Sequence, residues 1–172
     1  MRTFILIFVC IIFLNSCKKD NYVIEKKDGD LMQKIIYEHG EVTNSKTYMK
    51  GVLNTEFIYD NKIIVKMYLY YPNKEVYSYS YLIKKPNHYT TIFYHKNKKI
   101  ASEGEGDYFK DKNLYLRRGT WIFYNNAGVP YSIYTFGHNE KNEYIQDEVI
   151  FDTVTNKIIK DVKYNPPVLY EK

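Results

Sequence analysis

The chain has 172 residues, and its 25 Lys and Arg against 20 Asp and Glu give a net charge of +5 spread along the whole length. That length allows one domain with a modest core, and the lack of any block of like charges excludes a nucleic-acid-binding tail. The 20 tyrosines point to strands, because aromatic and β-branched side chains suit a pleated, half-buried surface.

Arg2 gives a positive start, and residues 4–14 form an unbroken apolar run. A bilayer span needs about 20 residues, so this run is too short to cross and has the length of a signal-peptide core. It ends in Leu14-Asn15-Ser16-Cys17, which resembles the lipobox of bacterial lipoproteins. The resemblance implies that residues 1–16 are a signal peptide and that Cys17 is the lipid-attachment residue. It further implies a cell-envelope protein held at the outer membrane, since two acyl chains anchor durably where one is marginal. Cys10 would leave with the signal peptide, so no thiol remains for a disulfide or a nucleophile. Residues 17–30 are polar, mixed in charge and without periodicity, and read as a tether to the domain at 31–172.

From Leu31 on, Tyr/Ile/Val-rich runs alternate with turn signals such as His39-Gly40, Lys50-Gly51, Asn61-Lys62 and Asn73-Lys74. Turns recurring at this short interval, with no helical stripe, predict antiparallel β structure. An aromatic recurs just before a turn at Tyr37, Tyr59, Tyr71, Tyr94, Tyr124 and Phe151, with gaps of 22, 12, 23, 30 and 27 residues. Such periodicity predicts a repeat array whose unit is a strand pair, with an insertion around 110–115. A last hairpin is expected over 148–163. Pro166 and Pro167 are expected to end its pairing, since proline cannot donate to a ladder.

Residues 119–137 hold the only tryptophan. Gly119, Trp121, Tyr124, Gly128, Tyr134 and Gly137 resemble the MORN-variant repeat, most fully over 98–138. Over 31–97 the match is degenerate, with Lys62, Lys74 and Asn97 in place of the turn glycine. Lys and Asn reach positive φ less freely than Gly, so a different turn type is expected there. The family includes bacterial lipoproteins and YwqK-type antitoxins. The resemblance implies an all-β fold, an open, twisted single sheet of antiparallel hairpins. It also implies a non-catalytic binding or scaffold role without a cofactor, or alternatively an antitoxin or immunity protein.

Three constellations could carry chemistry. With Asn73-Lys74 as a hairpin tip, Tyr70 would face Tyr77 and Tyr68 would face Tyr79. Tyr81 would join them in a flat aromatic platform for sugar rings or a partner's apolar patch. The competing reading is a packed seam between repeats. Glu103, Glu105 and Asp107 alternate with Gly104 and Gly106, which puts three carboxylates on one strand face. A solvated face is the expectation there, against a cation site or a catalytic pair. His39, His88, His95 and His138 form no pair with metal-ligand spacing, and Ser78, Ser80, Ser102 and Ser132 lack a nucleophile-elbow context. The expectation is therefore a monomer, anchored to the membrane through Cys17, with a protein or envelope-glycan partner, no nucleic acid, no metal and no enzymatic activity.

Overall fold

A computed structural model describes residues 21–170. The expected signal peptide at 1–16 and the expected lipid-attachment residue Cys17 lie outside the described residues. Among the described residues twelve strands follow one another: β1 Tyr22–Asp28, β2 Leu31–Glu38, β3 Glu41–Met49, β4 Val52–Asp60, β5 Ile63–Tyr70, β6 Val76–Lys84, β7 His88–Tyr94, β8 Ile100–Phe109, β9 Leu114–Tyr124, β10 Pro130–His138, β11 Glu143–Phe151 and β12 Ile158–Leu169. They form one open sheet in sequential order, each strand antiparallel to its neighbours. The fold is all-β, a meander of hairpins in a single sheet. Among the described residues no helix is long and apolar enough to cross a membrane.

The sheet is strongly curled. Phe57 on β4 and Tyr108 on β8 are four strands apart, about 19 Å in a flat sheet at ~4.8 Å per strand. Their ring centroids are only 6.0 Å apart. The face they share is therefore concave, and it holds the core of Ile64, Met67, Tyr89 and Tyr108. The Tyr89 hydroxyl donates to the Ile64 carbonyl at 2.7 Å, tying β7 to β5 across this hollow. Trp121 is fully buried further along the same face, with Phe93 at 6.0 Å.

Two glycines of β8 make that packing possible. A Cβ on Gly104 would lie 2.5 Å from the Trp121 ring, and one on Gly106 would lie 2.5 Å from the Tyr115 ring. Both side chains thus rest against bare backbone, and the Trp121 indole N–H donates to the Glu105 carbonyl at 2.7 Å.

The aromatic that recurs before the turns has a structural role. Tyr94, Tyr124 and Phe151 end β7, β9 and β11, Tyr37 and Tyr59 stand one residue before the ends of β2 and β4, and at each the ladder shifts register. In the remaining copy the shift falls at Tyr70, so Tyr70 and not Tyr71 holds the position. Strands alternate in direction, so β2 and β4 end on one side of the sheet and β5, β7, β9 and β11 on the other. The short gap is thus a single strand, and it transfers the motif to the opposite end. Of the insertion expected around 110–115, residues 110–113 are the tip of the hairpin joining β8 and β9 and 114–115 open β9; the two strands run to 10 and 11 residues.

Three further expectations are corrected. Residues 22–28 of the expected tether form β1, in unbroken register with β2; the two-residue turn is Gly29-Asp30, with Gly29 at φ 57°, and Tyr22 stacks on Tyr37 at 4.3 Å. The lysine turns do not change type. Asn61-Lys62 has φ of 49° and 67°, matching His39-Gly40 at 51° and 76°, so both are mirror-image hairpin turns. Lys74 and Lys98, at φ 70° and 67°, occupy the place of Gly128 at 84°; the equivalent residue is Lys98, not Asn97. Pro166 and Pro167 interrupt the last ladder without ending it: Asp147 pairs with Lys163, and pairing resumes at Ile145 with Val168. An edge strand tolerates this because its outer N–H groups need no partner.

Candidate functional site

Tyr68 and Tyr70 of β5 and Tyr79 and Tyr81 of β6 lie on the convex face, opposite the core. Tyr68 pairs with Tyr79 and Lys66 with Tyr81. Ring centroids are 4.9 Å apart for Tyr68 and Tyr79, 6.3 Å for Tyr68 and Tyr70, and 5.8 Å for Tyr79 and Tyr81. Four of the five expected residues thus form a continuous ladder of rings. The fifth does not. Tyr70 pairs with Val76, which leaves Tyr77 as the extra residue of a bulge. Its ring packs against Tyr71 at 5.0 Å and Phe93 at 5.4 Å.

Beside the ladder is an open depression of about 560 Å³, lined by Tyr68, Tyr79, Tyr94, Val76 and His95 with Lys74, Glu75 and Lys98 at its rim. Glu75 is held by Lys98 at 3.0 Å and by the Asn73 amide at 2.8 Å. The Lys98 hydrogen bond keeps its carboxyl below the usual range. Tyr70 closes the other side of the ladder by donating to Glu56 at 2.9 Å. Glu56 also accepts from Asn44 at 2.7 Å and pairs with Lys46 at 3.2 Å.

Adjacent turns lock to one another along this end of the sheet. The Tyr71 hydroxyl donates to the Tyr94 carbonyl at 2.7 Å, and His95 Nε2 bonds the Tyr124 carbonyl at 2.8 Å. Asn97 and Lys99 each donate at 2.7 Å to carbonyls of the next turn, Asn126 and Ala127. The depression is therefore bounded by turns whose spacing is fixed by direct bonds.

A second polar cluster lies on the convex face at the opposite end of β7 and β8. His88, Asp107 and Leu116 are cross-strand partners. Asp107 is buried, and its carboxylate bonds His88 Nδ1 at 2.8 Å, His138 Nε2 at 2.9 Å and Arg118 at 3.4 Å. His88 Nε2 meets Glu105 at 2.8 Å, so the ring bridges the two carboxylates. His138 Nδ1 accepts the Glu140 backbone N–H at 3.2 Å, which leaves its Nε2–H to donate to Asp107. The expected solvated face is thus corrected for Asp107. The three carboxylates do share a face, but only Glu105 is exposed, and Glu103 accepts from the Tyr124 hydroxyl at 2.6 Å. Both Asp107 oxygens are occupied, and the cluster ties β7 to β10. No sequence signal announced it, because His88 and His138 are 50 positions apart and only strand pairing brings them to one carboxylate.

Arg117 forms a third constellation, also invisible in sequence. It bonds buried Glu143 at 2.7 Å, and its guanidinium lies 4.1 Å from the Phe136 ring centroid and 4.2 Å from that of Tyr170. The planar cation is sandwiched, which suits a structural clamp of β9, β11 and the chain end. Among the described residues no group of three His, Cys, Asp or Glu side chains is disposed to hold a metal ion. His39 lies in an exposed turn.

No protein-family model and no curated protein matches the chain in sequence. Among solved structures it is similar to a mutant of S. aureus TarM in complex with fondaparinux, α-GlcNAc-glycerol and UDP. Identity is 11%, the match covers 91% of this chain and 24% of that one, and the TM-score is 0.30. The chain thus spans about a quarter of that protein's length, and a likeness this loose carries no argument about function.

Proposed function

We propose that this chain is a cell-envelope lipoprotein, anchored through Cys17, whose hairpin array serves as a non-catalytic binding module of MORN-variant type. Its ligand surface is the Tyr68, Tyr70, Tyr79 and Tyr81 ladder with the adjoining depression, and its partner is an envelope glycan. The observation that carries this reading is the ladder on the convex side, where the rings are not needed to fill the concave core. Sugar rings present C–H faces that stack on aromatic side chains, and the lysines and Glu75 at the rim supply hydrogen-bonding groups. In the full chain, Tyr68→Ala with Tyr79→Ala should weaken binding to isolated envelope polysaccharide by at least tenfold while leaving the melting temperature within a few degrees. Unchanged glycan binding in that variant, or capture of a protein alone, would overturn the glycan reading. Cys17→Ala should move the protein from the membrane fraction to the soluble fraction; continued membrane retention would sink the anchor.

A further inference from the structure

We infer that the concave face carries a second, separate binding site: a cavity of about 280 Å³ that takes a single neutral ring bearing hydroxyl groups. Its floor is Ser78 and Ser80 of β6 and Thr91 of β7, all buried. Its walls are Phe57, Met67, Leu69 and Phe93, and the β8–β9 hairpin closes it from above with Tyr108 and Tyr115.

The space arises from a dip in side-chain size. Along one cross-strand row of this face the chain places Phe57, Met67, Ser80, Thr91 and Gly104 in register. Protein interiors are close-packed, and a row that served the core alone would be filled with aliphatic side chains at its centre. Here small hydroxyl residues stand where the roof passes over, and the roof is held off them. Tyr108 is braced by its hydroxyl bond to Asn113 at 2.8 Å and by the Phe57 and Tyr89 rings. Tyr115 is braced by the bare backbone at Gly106, against which the hydroxyl end of its ring rests.

The Tyr115 hydroxyl supplies the independent observation. It is buried and has no hydrogen-bond partner. The neighbouring Thr91 hydroxyl is near enough to influence it, but it is already bonded to Ser80 at 2.7 Å and forms no aligned hydrogen bond with Tyr115. A buried polar group left unmatched is unfavourable, and native structures rarely leave one. An occupant with a hydroxyl would satisfy it. The lining contains no Lys, Arg, Asp or Glu, so the occupant is neutral. An engineered cavity of about 150 Å³ accepts benzene, so the volume here holds one ring and not a chain of them. The shared chemistry is a neutral ring with an apolar face and a hydroxylated edge, which a phenolic group and a pyranose both present.

The test is equilibrium binding of phenol, methyl β-glucopyranoside and benzene to the full chain and to Tyr115→Phe, which keeps the ring and removes the unmatched hydroxyl. The expected result is that phenol or the glycoside binds at least fivefold tighter than benzene. Tyr115→Phe should cut that affinity about two- to tenfold, the worth of one hydrogen bond, and leave benzene unchanged. Which hydroxylated ring binds identifies the source. If no probe binds, so that the cavity holds water only, the proposal fails. It fails equally if benzene matches the hydroxylated rings or if Tyr115→Phe changes nothing. A melting temperature for Tyr115→Phe at or above that of the parent chain excludes misfolding as the cause of lost binding.

Discussion

At the scale of single residues, backbone space and backbone conformation decide more than side-chain chemistry. Gly104 has ordinary strand geometry, yet a methyl group there would meet a Trp121 ring that is fully buried and held by its N–H bond. Gly104→Ala should therefore destabilise the chain by about 1–3 kcal/mol, the range of overpacking in a tight core, and red-shift the tryptophan emission. Urea unfolding with an unchanged midpoint would contradict the packing account. Lys62 presents the opposite case. It sits at φ 67°, where a side chain costs about 1–2 kcal/mol, while glycine loses roughly 0.5–1 kcal/mol of entropy on folding. Lys62→Gly completes an Asn-Gly turn and gives up only a long, exposed pair with Glu41 at 3.9 Å. It should raise stability by about 0.5–1 kcal/mol, measured as a higher urea midpoint at unchanged slope.

At the scale of elements, the strands are joined by more than their ladders. Glu56 takes bonds from β3 and β5, and Glu148 takes them from Tyr134, Lys160 and Tyr164 on β10 and β12. For both, burial pushes the carboxyl up, but the combined hydrogen bonds outweigh it and hold the group below the usual carboxylate range. A carboxylate with a depressed folded pKa stabilises fully above its unfolded pKa and loses that contribution as pH falls through the folded one. Stability should therefore be flat above about pH 5 and decline below pH ~4.5. The double variant Glu56→Gln with Glu148→Gln should show a shallower decline, and an equally steep one would exclude these two groups as its source. Arg117 and Glu143 form a largely buried clamp. Removing one member leaves the other charge buried, so Arg117→Met should destabilise by about 3–5 kcal/mol, read in thermal unfolding.

At the scale of the whole molecule, curl substitutes for a second layer. A single sheet exposes both faces unless it bends, and here the β8–β9 hairpin reaches back to β4 so that Tyr108 and Phe57 meet. Burial is therefore concentrated in the middle strands. β1 is exposed along its full length, and most of β12 is exposed as well. Amide hydrogen exchange should be slowest in β5 to β9 and fastest in β1 and the outer half of β12, because local opening follows buried contact density. Uniform protection across the sheet would refute this gradient. The two edges also differ. β12 carries two prolines and an interrupted ladder, devices that discourage edge pairing, whereas β1 pairs in unbroken register and has neither.

The chain by itself determined that this protein is built of antiparallel hairpins. Turn residues and alternating aromatics act over a few positions, and their signal survives without knowledge of the fold. The Tyr68–Tyr79 pairing was legible for the same reason, since one short turn sets its register. Tyr77 was misplaced because a bulge adds one residue and redirects a side chain, and nothing local to Tyr77 marks it. The lysine turns were misread because propensity disfavours positive φ without forbidding it, and the strands on either side impose it. Only the tertiary structure decided which face is concave, that His88 and His138 meet at Asp107, and that Tyr115 roofs a hollow floored by serines. Each depends on curl accumulated over several strands, a property of the whole sheet that no segment of the sequence carries.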